Sequence, residues 1–248
     1  YDAYMDYQYN VKGNSQNLFG KRIKDVKTFL NAAYKSGDNK HLMYKGFKRL
    51  QEKTDAIYLN EEELNKIYKL DLRKNKRLER VRDLFMVECN TGVRYNDLMN
   101  ITKENILKES IKIKVSKTGQ NLNTLLLPIT EKILKKYNYN LPKISNVNYN
   151  LYIKEVGELA GINETITKDT RKSGKAISFK RKKYELITTH TARRSFATNL
   201  YKRGYSPVQI MSITGHKKES TFLTYIRITN EESVRMISLD YKKKVGWF

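Results

Sequence analysis

The chain has 248 residues, of which 49 are lysine or arginine and 26 are aspartate or glutamate, so its formal net charge is +23 at pH 7. A surplus of this size exceeds what solubility requires and indicates a polyanionic partner. Nucleic acid fits better than a membrane surface, because the basic residues are spread through patterned segments instead of lying on one amphipathic helix. The length suffices for one large domain, or for a medium domain and a smaller one.

The single cysteine, Cys89, lies in an apolar stretch and indicates a core thiol in a reducing compartment. One cysteine excludes an internal disulfide framework and a cysteine-based metal site. No apolar run approaches the roughly 20 residues of a membrane-spanning helix, and the first residues lack a signal-peptide pattern. We therefore expect a soluble, intracellular protein. Because the sequence starts at Tyr1, within an aromatic-rich helical pattern, we also expect it to be part of a longer chain.

Two helical patterns precede a change in composition. From Phe19 to Ala33 apolar residues recur every three or four positions and predict an amphipathic helix, which Gly37 ends. A shorter helical pattern follows through Met43, Phe47 and Leu50. The charged, unpatterned residues 51–55 then predict a boundary between a helical domain, residues 1–53, and a second domain, residues 57–248.

The second domain starts with two helices and a sharp turn. Asn60 is placed to cap a helix whose first turn contains three glutamates. Acidic side chains in the first turn interact favourably with the helix dipole. The next helix ends before Gly92, and a short one begins at Tyr95. Arg94 lies at the junction between them.

A small hairpin is predicted next, with strands at 111–116 and 124–129 and Lys117 where the first strand enters the turn. Helical patterns resume over 130–137 and 148–160. The lysine-rich segment 168–183 has no clear period and remains unassigned.

The C-terminal third is predicted to be helical. Its helices span residues 190–203, 207–214, 219–227 and 230–241. Ser206 and Pro207 are the N-cap and first residue of the second of these, which Gly215 ends. The whole chain is therefore expected to be mainly α with a small antiparallel β-sheet, an α+β fold.

One pair of side chains suggests an anion site. His190 and Arg193 are three residues apart on a predicted helix and share a face, so they are able to bind one phosphate. Alone, this spacing is more often an ordinary surface pair. Two further features follow it: Thr214-Gly215-His216, and then Tyr225 nine residues after His216. Histidine occurs only three times in the chain, and two of the three occupy these positions.

Upstream, the sequence TGVRYNDL around Arg94 completes a pattern. This box, followed by H-x-x-R, G-H and Y in that order, resembles the tyrosine recombinases of the phage integrase family. The family's first box is T-G-x-R-x-x-E-L, so Asp97 replaces a glutamate, and Thr214 replaces the usual leucine before Gly-His. The family also has a lysine on a β-hairpin between the boxes. Lys117 matches it best, with Lys112 and Lys114 as weaker candidates.

The resemblance implies a tyrosine recombinase catalytic fold preceded by a partial helical core-binding domain. The implied activity is site-specific DNA recombination by an integrase of a mobile element or prophage, through a 3′-phosphotyrosine intermediate and without metal, ATP or another cofactor. Catalysis would depend on Arg94, Lys117, His190, Arg193, His216 and Tyr225. The arginines would hold the phosphate, Tyr225 would attack it, His190 would be the base, His216 would hydrogen-bond the phosphate and Lys117 would protonate the leaving oxygen.

The resemblance also implies partners and a location. These are double-stranded DNA, three further copies in a homotetramer on two duplexes, accessory DNA-bending proteins, no membrane, and the cytoplasm at the nucleoid. Two alternatives remain open at this point. One is a catalytically silent DNA-binding protein that keeps the fold, although an intact set of six residues argues against it. The other is a type IB topoisomerase, although the chain length and the short interval from His216 to Tyr225 fit a recombinase better.

Overall fold

A computed structural model of the chain describes residues 1–52, 56–172 and 175–245. The helices, numbered in chain order, are α1 (Asp2–Asp6), α2 (Gln16–Ser36), α3 (Glu61–Lys69), α4 (Lys76–Thr91), α5 (Tyr95–Leu98), α6 (Pro128–Lys136), α7 (Asn146–Leu159), α8 (Thr189–Lys202), α9 (Pro207–Thr214), α10 (Glu219–Leu223) and α11 (Asn230–Val245). The strands are β1 (Ser110–Lys114), β2 (Asn121–Leu125), β3 (Thr165–Lys172) and β4 (Lys175–Lys182). The fold is therefore α+β and mainly helical, as the sequence predicts. Across these described ranges, no helix combines the length and apolar character that crossing a membrane requires.

The chain divides into two compact units. One comprises Tyr1–Asp55 and Thr165–Arg181, and the other comprises Ala56–Glu164 and Lys182–Phe248. Part of the predicted boundary, residues 53–55, lies outside the described residues, and the division into domains 1–53 and 57–248 stays a prediction. All six candidate residues lie in the larger unit.

In the smaller unit, α2 is the predicted amphipathic helix. Ser15 caps its start and Gly37, in the left-handed conformation at φ +87°, ends it. The helix packs its apolar face into a small core with Tyr9. The second helix predicted in this unit, through Met43, Phe47 and Leu50, is wrong for most of its length. The structure has only one turn of 3₁₀-helix there, at Met43–Gly46. Phe47 is already extended, and its side chain packs against the core instead of continuing a helix.

Strands β3 and β4 form a two-stranded sheet that includes the unassigned lysine-rich segment. Ile177 and Phe179 of β4 are exposed, as are Ser178 between them and Lys180 and Lys182 after them. An isolated ribbon with little burial on either face has no apolar-polar alternation. This explains why the period of two that identifies a strand is missing from the sequence.

Helix α4 is the centre of the larger unit and contacts α6, α7 and α8. Asn75 caps its start through the amide of Leu78, and Gly92 ends it in the left-handed conformation at φ +66°. Its buried apolar residues include Leu78, Val81, Leu84, Phe85 and Val87. A helix that is buried on most of its surface provides a fixed support for the segments at its C-terminal end.

The β1–β2 hairpin agrees with the prediction in its first strand and differs in its second. Ile111 pairs with Thr124, and Ile113 pairs with Leu122. The second strand ends at Leu125, four residues before the predicted end at residue 129, because Pro128 has no amide proton for a strand ladder and starts α6 instead. The turn is tight, with the Val115 amide donating to Gln120 O at 2.8 Å.

The predicted helix 219–227 is too long, because α10 ends at Leu223. The hydroxyl of Thr198 on α8 donates to Tyr225 O at 3.2 Å and accepts from the Arg227 amide at 3.2 Å. These backbone groups are therefore bonded to α8 and not to a continued helix. Tyr225 consequently lies in the turn after α10, where its amide donates to Phe222 O and its carbonyl accepts from α8.

We predict that Gly92→Ala destabilises the protein more than Gly204→Ala. Both glycines have positive φ, where a side chain costs roughly 1–2 kcal/mol of the free energy of unfolding. A Cβ on Gly92 would also lie 2.3 Å from Phe196 Cδ1, whereas one on Gly204 would meet nothing within 4 Å. The crowding should add roughly 1–3 kcal/mol, measured by urea unfolding of both variants. Equal losses would contradict this account of the α4–α8 contact.

Candidate active site

Arg94 extends from the junction between α4 and α5. It is the N-cap residue of α5, with an extended backbone, and its side chain is 37% exposed. Its guanidinium lies 4.0 Å from the carboxylate of the buried Asp97. Asp97 Oδ1 also accepts from the amide and the hydroxyl of Ser116, each at 2.9 Å. One carboxylate thus links Arg94 to the hairpin turn that carries Lys117.

Arg193 is almost fully buried, with 3% of its surface exposed. Its Nη1 donates to Gly92 O at 2.5 Å and its Nη2 donates to Thr214 O. Burial, and then repulsion from Arg94, lower the pKa of Arg193 to about 10, so it remains a cation at neutral pH. Glu88 on α4 is fully buried, and this burial raises its pKa well above the usual range. Burial therefore disfavours the charged form of this carboxyl beside Arg193.

His190 lies one turn before Arg193 on α8 and is exposed to solvent. Both line a cleft of about 190 Å³ whose residues are Val93, Arg94, Tyr95, Asn96, Asn146, Thr189, His190 and Arg193. Partial desolvation lowers the pKa of His190, and repulsion from Arg194, Arg193 and Arg94 lowers it further. The predicted face shared by His190 and Arg193 is therefore part of one cleft with Arg94.

His216 follows the left-handed Gly215, which has φ +70° and turns the chain back toward α8. Its Nδ1 lies 2.8 Å from Thr214 Oγ1, and its ring centroid lies 4.7 Å from that of Tyr225. Desolvation, followed by repulsion from Arg193 and Arg94, lowers the pKa of His216 to about 4. The imidazole is therefore neutral at neutral pH.

Tyr225 is half-buried, and its ring contacts two side chains of the site. One is His216, and the other is Arg194, whose guanidinium carbon lies 5.8 Å from the ring centroid. Arg194 was missed by the sequence reasoning, although it directly follows the second motif arginine. A cation at this distance attracts the face of an aromatic ring. The candidate nucleophile is thus held beside the same group of cations that surrounds His216.

Lys117 lies in the exposed turn after β1. Within the described residues, no hydrogen bond, ion pair or ring contact joins it to the other five candidates. Two contacts set the position of the hairpin that carries it. Asp97 accepts a hydrogen bond from the amide of the neighbouring Ser116. Leu122 of β2 packs on Gly215 so closely that a Cβ added to this glycine would lie 2.5 Å from Leu122 Cδ1. The hairpin is therefore fixed next to both Arg94 and His216.

The rival lysines, Lys112 and Lys114, lie on β1 and are exposed, while Ile111 and Ile113 beside them are buried. They therefore occupy the face of the hairpin opposite to the core. In the part of the chain that the structure describes, no cluster of three or more His, Cys, Asp or Glu side chains is arranged to hold a metal ion.

Residues 58–232 match the sequence profile of the phage integrase family, so the chain belongs to this family. It is 26% identical over 183 residues to the tyrosine recombinase XerA of Pyrococcus furiosus, a match that covers 71% of this chain and 59% of that protein. The chain thus spans less than two thirds of the length of this relative.

Two solved structures share the fold. The integrase of the Tn1549 transposon in complex with circular intermediate DNA has a TM-score of 0.62 at 16% identity, covering 94% of this chain and 81% of that one. A λ integrase tetramer bound to a Holliday junction has a TM-score of 0.58 at 16% identity, covering 83% and 58%. At an identity of 16%, the similarity is evidence for a shared fold only.

We predict that Asp97→Ala loosens the hairpin turn. A hydrogen bond to a charged acceptor contributes about 1.5–3 kcal/mol, so exchange of the Ser116 amide should accelerate roughly tenfold or more. Asp97→Asn is the matched control, because its side-chain oxygen still accepts both bonds from Ser116. Amide hydrogen exchange of the full chain tests this. Unchanged exchange in the alanine variant would show that Asp97 does not position the turn.

Proposed function

We propose that this chain is the catalytic part of a site-specific DNA recombinase, the integrase of a mobile element or prophage. It would cleave and rejoin duplex DNA through a 3′-phosphotyrosine intermediate. Membership of the phage integrase family supports this proposal. The observation that carries it is the meeting of two arginines, two histidines and Tyr225 in one place, although they come from four separate segments.

The two arginines suit a phosphodiester. Each Nη of Arg193 has two protons, and one on each is used by a backbone carbonyl. Among the described residues the other two have no acceptor, so they can form paired bonds to non-bridging phosphate oxygens, together with the half-exposed Arg94. Fixed cations of this kind stabilise charge that develops in the transition state, because they need no reorganisation.

Tyr225 would attack the phosphorus and replace the 5′-oxygen of the next nucleotide. The phosphotyrosine keeps the energy of the phosphodiester bond, so a DNA hydroxyl reverses the step without ATP. The scheme assigns no role to a metal ion. Lys117 would donate a proton to the leaving oxygen, and His190 would be the base according to the family pattern. His216 would then bind the phosphate.

The partners follow from charge and from the solved relatives. A net charge of +23 suits duplex DNA, whose phosphates release counterions to lysine and arginine. The λ integrase tetramer on a Holliday junction supports assembly of four copies on two duplexes. Accessory DNA-bending proteins complete the proposal, and the site of action would be the nucleoid in the cytoplasm.

We predict that Tyr225→Phe abolishes covalent complex formation on a nicked suicide substrate, because the variant lacks the attacking oxygen. Tyr205→Phe is the matched control, since Tyr205 is half-exposed and outside the cluster. The measurement is the yield of denaturation-resistant protein–DNA complex at equal DNA occupancy. An undiminished yield for Tyr225→Phe would refute the proposed nucleophile. No covalent complex in the wild type, despite DNA binding, would favour the silent DNA-binding protein.

We predict that Lys117→Ala slows cleavage by about 10²–10⁴, the usual contribution of a general acid. DNA with a 5′-bridging phosphorothiolate should restore most of the rate, because sulfur leaves without being protonated. Lys112→Ala and Lys114→Ala are matched controls on the same hairpin and should cleave both substrates almost normally. If the phosphorothiolate restored the rate of one of these controls and not that of Lys117→Ala, the general acid would be that lysine and not Lys117.

A further inference from the structure

Helix α8 carries two consecutive arginines whose side chains have different surroundings. Successive residues of an α-helix are rotated by about 100° around its axis, so neighbours lie on different faces. Arg193 donates to the carbonyls of Gly92 and Thr214. The guanidinium carbon of Arg194 instead lies 5.8 Å from the ring centroid of Tyr225. Arg194 therefore belongs to the surroundings of Tyr225 and takes no part in the bonds that hold Arg193.

A further arginine, Arg227, is held beside the same face of α8. Thr198 lies one turn after Arg194, so the two side chains share a face of the helix. The Thr198 hydroxyl donates to Tyr225 O and accepts from the Arg227 amide, each at 3.2 Å. Burial lowers the pKa of Arg194, and repulsion from Arg227 lowers it further. The two guanidinium groups are thus close enough to repel each other next to the candidate nucleophile.

These two cations lack a counter-charge. In the part of the chain that the structure describes, no carboxylate forms an ion pair with Arg194 or Arg227, and neither guanidinium donates a hydrogen bond. Both side chains are half-buried, and Arg227 Nε is fully buried. A buried charged donor without an acceptor is unfavourable, and so is a like charge beside it. An anion bound by both groups would remove both penalties.

We propose that Arg194 and Arg227 form a second anion site, which binds a phosphate next to the scissile one in the same DNA strand. This inference rests on the proposed function, in which Arg94 and Arg193 bind the scissile phosphate. Neighbouring phosphates of one strand rise by about 3.4 Å along the duplex axis, so a second phosphate lies near the one that Tyr225 attacks. Guanidinium groups suit it, because each forms paired hydrogen bonds to phosphate oxygens.

The site would hold the strand and would take no part in making or breaking bonds. Arg194 belongs to α8, and the backbone of Tyr225 and Arg227 is bonded to Thr198 of the same helix. A phosphate bound here is therefore positioned relative to the nucleophile through one helix. The contact should contribute to DNA affinity and to the register of the strand.

The test is a cycle between single side chains and single phosphates. Arg194→Gln and Arg227→Gln each remove one charge from the full chain. A methylphosphonate removes the charge of the phosphate before or after the scissile one. Affinity is measured with the unnicked duplex of the suicide substrate, in a Tyr225→Phe background so that no strand is cut. Arg235→Gln is the matched control, because Arg235 is an exposed arginine on α11.

Each glutamine variant should bind the unmodified duplex about tenfold or more weakly, which is the usual effect of losing a hydrogen bond between charged groups. One of the two methylphosphonates should weaken binding by a similar factor when both arginines are present. The same methylphosphonate should not weaken Arg194→Gln or Arg227→Gln further. Arg235→Gln should keep its full sensitivity. Arg194→Lys and Arg227→Lys retain the charge and should also remain sensitive.

Equal sensitivity of all variants to both methylphosphonates would overturn the inference, even if the glutamine variants bind weakly, because any loss of positive charge weakens binding to DNA. Stability provides a second readout. Removing one of two like charges should leave the urea midpoint unchanged or higher. A lower midpoint together with unchanged sensitivity to the methylphosphonates would make these arginines structural. The lysine variants keep the test decisive if a glutamine variant fails to fold.

Failure of the proposed function is distinguishable from failure of this site. A wild-type protein that binds DNA but forms no covalent complex would refute the proposed function. The salt dependence of binding to a mixed-sequence duplex would still test the site. The slope of log affinity against log salt should fall by about one in Arg194→Gln and in Arg227→Gln, and not in Arg235→Gln. Unchanged slopes in the first two variants would refute the site.

Discussion

The site depends on the burial of one cation. A guanidinium removed from water costs several kcal/mol unless its donors are satisfied. Arg193 bonds to the carbonyls of Gly92 and Thr214, which belong to the C-terminal ends of two different helices. Both helices end at a left-handed glycine, Gly92 and Gly215 respectively. The need to satisfy Arg193 therefore joins three segments, and the residues directly after the two glycines bring Arg94 and His216 to it.

The same burial leaves an excess of positive charge. Arg94, Arg193 and Arg194 repel one another or the histidines between them, and each shift in the pKa of His190 and His216 is downward. Asp97 lies 4.0 Å from Arg94, at the limit of an ion pair, and burial raises the pKa of the other nearby acid, Glu88. A protein gains no stability from uncompensated cations. The arrangement is what a site for an anionic ligand requires.

Much of this was predictable from the sequence, because local signals agreed with the fold. Two helices begin at the predicted caps, Asn60 and Ser206, and the glycines predicted to end helices do so in the left-handed conformation. The spacing of His190 and Arg193 likewise places both side chains on one face of α8. The end of α10 before Tyr225 was not predictable, because it depends on the hydroxyl of Thr198, which is distant in sequence and bonds to Tyr225 O. The same holds for the contact between Arg194 and Tyr225. It arises only when the turn after α10 is packed against α8.

The central claim is that this packing selects Tyr225 as the nucleophile out of the 18 tyrosines of the chain. The most direct measurement is mass spectrometry of the covalent protein–DNA complex after digestion with nuclease and trypsin. Cleavage after Lys218 and Arg227 releases the peptide Glu219–Arg227, which contains a single tyrosine. The account predicts a residual 3′-nucleotide on this peptide alone. A nucleotide on any other tyrosine-containing peptide would contradict it.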